Sequence, residues 1–261
     1  MKVVILCGGQ GSRLREETEV RPKPMVEIGG RPILWHIMKI FASHGLTDFV
    51  LCLGYKGTVI KNFFLDYEAR MNDFTVTLGG RRSIEYYTGH DEDGWIVTLA
   101  ETGEHAMTGV RLFRVARYLP NETFCMTYGD GLGNVDITGL LEFHRSHGRI
   151  GTVTGVRPPG RFGELLPEED QVVSFSEKPQ VTEGMINGGF FVFERRFIEQ
   201  YLTDDDDLVL EGEPLRRLAA DGELMVWRHH GFWQPMDTYR EWKLLENLWH
   251  SGDAPWKVWR S

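Results

Sequence analysis

The chain has 261 residues, 41% of them hydrophobic and 26% charged, which is enough for one large globular domain with a sizeable core. The formal net charge of −9 argues against a general nucleic-acid or anionic-membrane binder, because such proteins carry basic surfaces. An anionic ligand would therefore need local cations or a metal ion. The N-terminal apolar run is too short for a signal peptide and no stretch has the apolar length of a membrane span, so we expect a cytoplasmic protein.

The beginning of the chain alternates between strand and helix patterns. Apolar, β-branched runs predict strands at Lys2–Leu6 and Asp48–Leu53, and apolar residues at helical spacing predict helices at residues 31–44 and 57–71. Gly45 follows the first of these helices, in the position that C-terminal glycines prefer. This alternation is typical of a parallel sheet with helices on its faces.

The rest of the chain continues this pattern and then changes it. After short β-like runs at residues 74–99, the sequence predicts helices at 108–119, 136–147 (with Asp136 as N-cap), Glu213–Ala220 and 238–249, and strands at 122–128, Gly151–Val156, 172–175, 189–193 and 224–227. We expect an α/β fold with a single Rossmann-like sheet, mixed and mostly parallel, flanked by helices and carrying a small extension. One domain is expected over residues 1–261, with halves at 1–135 and 136–261.

The sequence also predicts which of certain cysteine, aspartate and tryptophan residues are buried or exposed. Cys7, Cys52 and Cys125 each lie in an apolar strand-like run without CxxC spacing, which predicts buried thiols. The aspartates at residues 204–207 predict a solvated loop, because like charges repel and no partner cations neighbour them in the sequence. The tryptophans near the C-terminus fit either the core or an interface: Trp233, Trp242, Trp249, Trp256 and Trp259.

A glycine-rich loop follows the first predicted strand. Gly8, Gly9 and Gly11 lack Cβ atoms where the backbone must turn sharply and can present its N–H groups to an anion. A dinucleotide fingerprint needs a third glycine where this chain has Leu14, and a Walker loop needs Gly-Lys-Ser/Thr, which is absent. The glycines alone fit a phosphate-binding loop and a plain strand-to-helix turn equally well.

The cations that follow this loop favour phosphate binding. Pro22 and Pro24 fix the backbone on either side of Lys23 and so present its ammonium in one direction, which a merely solvated lysine would not need. A phosphate-sized ligand would meet amide dipoles together with these side chains: Arg13, Arg15, Arg21 and Lys23.

Two aspartates are further candidates. Asp130 lies between glycines directly after a predicted strand, and ligands of open α/β sheets bind beyond the carboxyl ends of the strands. Taken singly, Asp130 also fits a turn aspartate, and Asp237 fits a helix N-cap before Thr238.

Motifs spread over nearly the whole chain resemble the sugar nucleotidyltransferase family. They are GGQGSRL at residues 8–14, PKPM at 22–25, YGDG at 128–131, FSEKP at 175–179, NGGFF at 187–191, and Asp237. Further segments, VEIGGRPILWHIM, MTGVRL, PPGRFG, MINGGFFVF and GFWQPMDT, resemble the cytidylyl-transferring branch of that family. Ser12 departs from the threonine that is usual in the loop, and either hydroxyl could serve.

The resemblance implies a reaction. A cytidylyl group would pass from CTP to α-D-glucose 1-phosphate, giving CDP-glucose and pyrophosphate, by a Mg²⁺-assisted in-line displacement without a protein nucleophile. The alternatives are the same chemistry with UTP or dTTP, and a nucleotide-sensing subunit of the same fold that does not turn over. The missing third glycine disfavours a nicotinamide oxidoreductase. The resemblance also implies a homo-oligomer, a hexamer, without nucleic-acid or membrane partners.

The resemblance further implies roles for individual residues. Two carboxylates far apart in sequence, Asp130 and Asp237, would hold the Mg²⁺. Arg13 and Lys23 would stabilise the leaving pyrophosphate. The expected catalytic residues are therefore Arg13, Lys23, Asp130 and Asp237. Nucleotide contacts are expected from the first half of the chain, at Leu6, Gly8, Gly9, Gln10, Gly11, Ser12, Arg13, Lys23, Thr108, Arg111 and Gly129. Sugar-phosphate contacts are expected from the second half, at Glu177, Lys178, Asn187 and Gly188.

The groups expected to recognise the nucleotide base are backbone groups near Leu6 and Gly8 together with residues 107–111. Within this segment Arg111 can donate to the O2 or N3 of cytosine but can accept nothing. The alternative for Arg111 is an exposed arginine on an amphipathic helix, which is the commoner case for such a pattern.

Overall fold

The computed structural model describes residues 1–9, 11, 14, 18–79, 83–87, 89–119, 121–157, 164–168, 171–176 and 184–259. The strands within these ranges are β1 (Lys2–Leu6), β2 (Glu27–Ile28), β3 (Arg31–Pro32), β4 (Asp48–Leu53), β5 (Phe74–Thr77), β6 (Ser83–Tyr86), β7 (Ile96–Glu101), β8 (Phe124–Tyr128), β9 (Gly131–Gly133), β10 (Gly151–Val156), β11 (Glu164–Glu168), β12 (Gln171–Ser176), β13 (Ile186–Asn187), β14 (Phe191–Phe193), β15 (Leu224–His229) and β16 (Trp233–Pro235). The α-helices are α1 (Ile33–Ala42), α2 (Gly57–Leu65), α3 (Tyr67–Met71), α4 (Thr108–Arg114), α5 (Ile137–His147), α6 (Arg196–Tyr201), α7 (Glu213–Ala220) and α8 (Tyr239–His250), and short 3₁₀ turns lie at Lys23–Met25 and Ala116–Tyr118.

The main sheet is mixed and mostly parallel, as the sequence predicts. Strand β1 pairs in parallel with β4 and β8, and β4 pairs in parallel with β7. Beyond β8 the sheet continues through β14, which runs antiparallel to both β8 and β10, and β15 then joins β10 in parallel. The carboxyl ends of β1, β4, β7 and β8 therefore lie along one edge of the sheet, where ligands bind in open α/β folds.

Strand β1 contributes side chains to two hydrophobic cores, one on each face of the sheet. Val3 and Ile5 belong to the core that contains α1, whereas Val4 and Leu6 belong to the core that contains Leu112 of α4. Successive side chains of a strand point to opposite faces, so a strand covered on both sides needs an unbroken apolar run. This is why the sequence of β1 shows no polar alternation.

Several element boundaries differ from the sequence expectation for identifiable reasons. The predicted helix at residues 31–44 starts only at Ile33, because Arg31–Pro32 pairs with Glu27–Ile28 as a small hairpin. The predicted helix at 57–71 is divided into α2 and α3 at Asp66. Helix α6 and the pairing of β9 with β16 were not predicted, since the helix is short and the pairing joins residues far apart in the chain. Within the described ranges no helix is long and apolar enough to cross a bilayer.

The burial of the cysteines is confirmed, whereas the acidic run is not free of cations. Cys7, Cys52 and Cys125 are buried free thiols. The predicted solvated loop at residues 204–207 is confirmed, because all four aspartates are exposed. A cation is nevertheless close in space, since Arg114 contacts Asp204 at 2.9 Å and Asp206 at 2.8 Å. A partner that is 90 residues away in the chain cannot be seen in a local charge pattern.

The C-terminal tryptophans pack into the core, and Trp249, Trp256 and Trp259 surround His36. Trp256 is fully buried, and Trp233, Trp242, Trp249 and Trp259 are partly buried against the same core. The Trp256 indole Nε1 donates to His36 Nδ1 at 3.3 Å, and His36 Nε2 lies 2.9 Å from the Ile28 carbonyl, to which it donates. These two bonds require a neutral imidazole with its proton on Nε2. Burial, the main cause, lowers the pKa of His36 from 6.5 to about 4.

This histidine predicts a pH dependence of stability. Because the folded pKa lies below the unfolded value, the contribution of His36 is fully present above pH 6.5 and is lost as the pH falls towards 4. Between about pH 7 and about pH 4.5, the free energy of unfolding should fall by about 2 kcal/mol more in the wild type than in His36→Gln. Urea denaturation at both pH values measures this difference, and His250→Gln, at an exposed histidine, is the matched control. Equal pH dependence in wild type and His36→Gln would contradict the assignment.

Candidate active site

The candidate site lies where β1 and β8 end side by side. The backbone N–H of Gly129 donates to the Leu6 carbonyl at 3.0 Å, which holds the two strand ends together. A cavity of about 250 Å³ opens at this point. It is lined by Leu6, Cys7, Gly8, Gly9, Gly11, Lys23, Pro24, Ala106, Met107, Thr108, Arg111, Tyr128, Gly129 and Asp130.

The glycines of the loop are needed for different reasons. A Cβ on Gly8 would stand 2.1 Å from Nη1 of Arg111, so this glycine makes room for the arginine. Gly11 has a φ of +61°, which favours glycine, and a Cβ there would lie 2.9 Å from Thr18. At Gly9, none of the residues that the structure describes has an atom within 4 Å of the Cβ position. The close approach of a ligand that the sequence predicts for all three glycines is therefore possible at Gly9, whereas Gly8 serves the protein's own packing.

Arg111 is 5% exposed, so it is not the exposed arginine considered from the helical pattern. Its Nη1 donates to the Leu53 carbonyl at 3.1 Å, the Thr102 hydroxyl at 2.9 Å and the Gly103 carbonyl at 2.7 Å. Its Nη2 donates to the carbonyls of Gly8 at 3.1 Å and Glu104 at 3.3 Å. Both terminal nitrogens thus tie the ends of β4 and β7 to the glycine loop. The predicted donation from Arg111 to a base would have to compete with these acceptors.

Lys23 connects three distant parts of the chain. It begins a 3₁₀ turn whose N-cap, Pro22, has a φ of −70°, and it is 8% exposed. Its Nζ donates to Oδ2 of Asp130 at 2.7 Å and to Oδ1 of Asp237 at 2.5 Å. Burial by itself would lower the pKa of Lys23, but the ion pairs with Asp130 and Asp237 outweigh it and the pKa is raised. The lysine is therefore charged and is held between two carboxylates.

The pairing of β9 with β16 brings Asp237 to this lysine. Gly131 of β9 lies opposite Pro235 of β16, and the N–H of Met236 donates to the carbonyl of Asp130 at 2.9 Å. The chain therefore passes directly beside Asp130 before it reaches Asp237.

Asp237 is not the helix N-cap that its sequence position also allowed. Thr238 caps α8, because its hydroxyl accepts from the N–H of Glu241 at 3.3 Å. The Glu241 carboxylate in turn accepts from the N–H groups of Asp237 at 2.8 Å and Thr238 at 2.9 Å. This capping box fixes the backbone of Asp237 and leaves its carboxylate to face Lys23.

The residues expected to contact the sugar phosphate are only partly described. Asn187 Nδ2 donates to the Tyr128 hydroxyl at 3.0 Å, and Asn187 Oδ1 accepts from the N–H of Gly189 at 2.9 Å. The carbonyl of Gly188 accepts from Trp233 Nε1 at 2.8 Å. Tyr128 lines the cavity, so Asn187 adjoins the candidate nucleotide site.

The structure brings together the predicted site residues of the first half that it describes, except Arg21, which pairs with Glu27 at 3.2 Å and does not line the cavity. Leu6, Gly8, Gly9, Gly11, Lys23, Thr108, Arg111, Gly129 and Asp130 all line the cavity, and Asp237 joins them through Lys23. The predicted residues that lie outside the described ranges are Gln10, Ser12, Arg13, Arg15, Glu177 and Lys178.

Sequence reasoning missed Cys7, Ala106 and Glu211. Cys7 and Ala106 line the cavity. Glu211 accepts from the hydroxyls of Tyr128 and of Thr108, the latter at 2.8 Å. No motif marks Glu211, and only its contacts with two residues of the cavity wall reveal it.

The two carboxylates suit a hard divalent cation. Their side chains are 35% exposed in Asp130 and 27% exposed in Asp237, and both face the same point, now held by the Lys23 ammonium. Within the described residues no group of three or more His, Cys, Asp or Glu side chains could hold a metal ion. Mg²⁺ typically takes one or two carboxylates and completes its shell with water and substrate phosphates, so this donor set fits it.

Comparison with known proteins agrees with this geometry. The family model described as Nucleotidyl transferase matches residues 2–233. The chain belongs to the nucleotidyl transferase family. This nucleotidyl transferase is 53% identical over 260 residues to the glucose-1-phosphate cytidylyltransferase of Salmonella typhi. The match covers 99% of this chain and 100% of that protein. It is 45% identical over 259 residues to the probable glucose-1-phosphate cytidylyltransferase of Bacillus subtilis (strain 168), and this match covers 99% of this chain and 100% of that protein.

A solved structure shows the same fold at much lower sequence identity. The crystal structure of UDP-glucose pyrophosphorylase complexed with UDP-glucose matches with a TM-score of 0.68 and 11% identity, covering 96% of this chain and 98% of that chain. This likeness confirms the mixed, mostly parallel sheet flanked by helices. Nucleotidyl transferases of this family generally use a divalent metal, which agrees with the paired carboxylates.

The role of Arg111 in this nucleotidyl transferase predicts the effect of a conservative change. Arg111→Lys removes the guanidinium that donates to five acceptors, and with it several charge-assisted hydrogen bonds, so the free energy of unfolding should fall by about 2–3 kcal/mol. Urea denaturation measures the loss. The matched control is Arg117→Lys, at an exposed arginine over the ring of Tyr118. Equal stability of the two variants would show that the bonds of Arg111 contribute little.

Proposed function

We propose that this chain transfers the cytidylyl group of CTP to α-D-glucose 1-phosphate and releases CDP-glucose and pyrophosphate. The substrates are taken from the names of full-length relatives at 53% and 45% identity. In this reaction an oxygen of the sugar phosphate attacks the α-phosphorus in line and pyrophosphate leaves. The protein has to position the reactants and neutralise charge, and it needs no nucleophile of its own.

The observation that carries the proposal is that a glycine loop, a charged lysine and Asp130 line one cavity, and that Asp237 binds the same lysine. The described residues leave room beside Gly9, which would allow a phosphate to approach the backbone. Lys23 lines the same cavity and brings a cation to it. Arg13, which lies outside the described ranges, would add a second cation to the leaving pyrophosphate by its place in the loop motif.

Asp130 and Asp237 would hold Mg²⁺. When bound, Mg²⁺ neutralises phosphate charge and polarises the phosphoryl oxygens. The protein's part is to place the two carboxylates. The end of β8 places Asp130, and the capping box of α8 places Asp237, so both oxygen donors are positioned before substrates arrive.

The second substrate would bind on the side of Asn187. One N–H of its side-chain amide goes to Tyr128, which leaves the other to donate to a sugar hydroxyl. By their place in the FSEKP motif, Lys178 would bind the sugar phosphate and Glu177 would accept from sugar hydroxyls. These two assignments rest on the sequence, as does the expected hexamer.

The choice of base is proposed from the relatives and has limited support from the cavity. The carbonyl of Gly8 already accepts from Arg111 and from the N–H of Tyr55 at 3.3 Å. The N–H groups of Met107 and Gly109 donate to the carbonyls of Asp206 and Leu208, each at 2.9 Å. These groups already have partners, so cytosine must be recognised by other polar groups that line the cavity.

Metal binding by the carboxylates predicts a kinetic signature. Asp130→Asn and Asp237→Asn each remove charge stabilisation that is strongest in the transition state, so kcat should fall by roughly 10²-fold or more while KM changes little. Release of pyrophosphate is the assay. The control is Asp66→Asn, at an exposed aspartate that pairs with Arg70 at 3.8 Å outside the site. Near-normal turnover of Asp237→Asn would remove this residue from the mechanism.

The base preference is tested by competition. CTP, UTP, dTTP and ATP are supplied together with glucose 1-phosphate and magnesium, and the sugar nucleotides formed are separated and counted. Cytosine and uracil differ at the 4-position and at N3, so a fitted site leaves two polar groups mispaired with the wrong base, and CTP should be preferred by roughly 10²–10⁴-fold. Comparable use of UTP or dTTP would overturn the cytidylyl assignment but not the nucleotidyl transfer. Absence of any sugar nucleotide would favour a sensing subunit that only binds.

A further inference from the structure

The ammonium of Lys23 occupies the point on which the two candidate metal ligands converge. It lies 2.7 Å from an oxygen of Asp130 and 2.5 Å from an oxygen of Asp237. The lysine side chain is 10% exposed, so water screens these ion pairs only weakly. In this arrangement the single positive charge of Lys23 offsets one of the two negative charges that Asp130 and Asp237 carry.

A divalent cation between the same carboxylates would have to displace the lysine. Mg²⁺ binds oxygen at about 2.0–2.1 Å, and an ammonium in contact with both of its ligands would be strongly repelled by it. The backbone at Lys23 cannot move far, because Pro22 and Pro24 flank it and a 3₁₀ turn begins there. The four-carbon side chain, in contrast, has several rotatable bonds, and it lines the cavity into which it would turn.

We infer that Lys23 is a displaceable internal counterion, which bridges Asp130 and Asp237 in the nucleotide-free protein and moves to the phosphates when the nucleotide binds. The inference rests on the proposed function and deepens it. Lys23 would keep the two carboxylates from repelling each other and from collecting stray divalent cations. The phosphates, by attracting the ammonium, would open the carboxylate pair to the metal. Metal and nucleotide would then bind cooperatively, through a coupling carried by one side chain.

A lysine that stays fixed in its ion pairs gives a different expectation. Its positive charge would weaken metal binding through space to a similar extent with and without nucleotide. A displaceable lysine weakens metal binding only when no nucleotide is present. The two cases are separated by measuring the effect of one substitution in both states.

The experiment measures binding of Mn²⁺ to the metal-free protein from the electron paramagnetic resonance signal of free Mn²⁺. Each protein is titrated alone and with a CTP analogue in which a methylene group replaces the α,β-bridging oxygen, so that no transfer occurs. Lys23→Gln should bind Mn²⁺ roughly tenfold more tightly than the wild type without nucleotide, and within roughly threefold of it with the analogue. The matched control is Lys61→Gln, at a lysine that pairs with Glu101 at 2.5 Å, and it should match the wild type in both states.

Other outcomes overturn the inference. An equal gain in both states would mean that Lys23 acts only through its charge, and an unchanged or weaker affinity without nucleotide would mean that it does not compete with the metal. The gain should also disappear in Lys23→Gln/Asp237→Asn, which shows that the added ion binds at the carboxylate pair. Because the titration without nucleotide needs only Mn²⁺, its result remains valid even if CTP is not the substrate.

A measurement on the wild type covers the case in which Lys23→Gln does not fold. In ¹⁵N spectra of the lysine ammonium groups, Lys23 should give a slowly exchanging signal in the free protein, as a buried ion-paired group does. The analogue alone, without any metal, should shift this signal. A signal that the analogue leaves unchanged would show that the lysine stays on its carboxylates.

Discussion

The ion pairs of Lys23 with Asp130 and Asp237 are the interaction on which the site depends. They join the turn after the glycine loop, the end of β8 and the segment before α8 at a single ammonium. Two carboxylates this close to one another would repel without a cation between them. The fold therefore has to supply a positive charge at this point at every stage, first from lysine and then, on our proposal, from a metal ion.

A second buried cation organises the opposite wall of the cavity. Arg111 is bound to the glycine loop at Gly8 and to the chain after β4 and β7, so it fixes the distance between the loop and helix α4. The absence of a Cβ at Gly8 follows from this arginine and not from a ligand. The loop is thus bound by Arg111 at Gly8, and at Gly9 the described part of the chain leaves room for a ligand. This arrangement suits a backbone that must be in place before phosphates arrive.

The acidic segment that precedes α7 holds helix α4, which contributes Arg111 to the cavity. Asp204 and Asp206 pair with Arg114, and the carbonyls of Asp206 and Leu208 accept from the N–H groups at the start of α4. The ion pairs themselves are exposed and weak, whereas the backbone bonds fix the position of the helix. The start of α4 is therefore held by residues of the second half of the chain. Together with Asp237, these contacts show that residues from both the first and the second half of the chain build the surroundings of the cavity.

The sequence by itself determined the buried strands, the mixed and mostly parallel sheet, the glycine loop at its edge and the identity of the two aspartates. These follow from periodicity, from backbone preferences of glycine and proline, and from motifs that are each contiguous in the chain. The tertiary structure decided what Lys23, Gly8, Arg111 and Asp237 do there. Lys23 is 107 and 214 residues away from its two partners, and Arg111 is 103 residues away from Gly8. A local pattern records the conformation that a residue prefers, but contacts over such separations exist only once the sheet has brought the strand ends together.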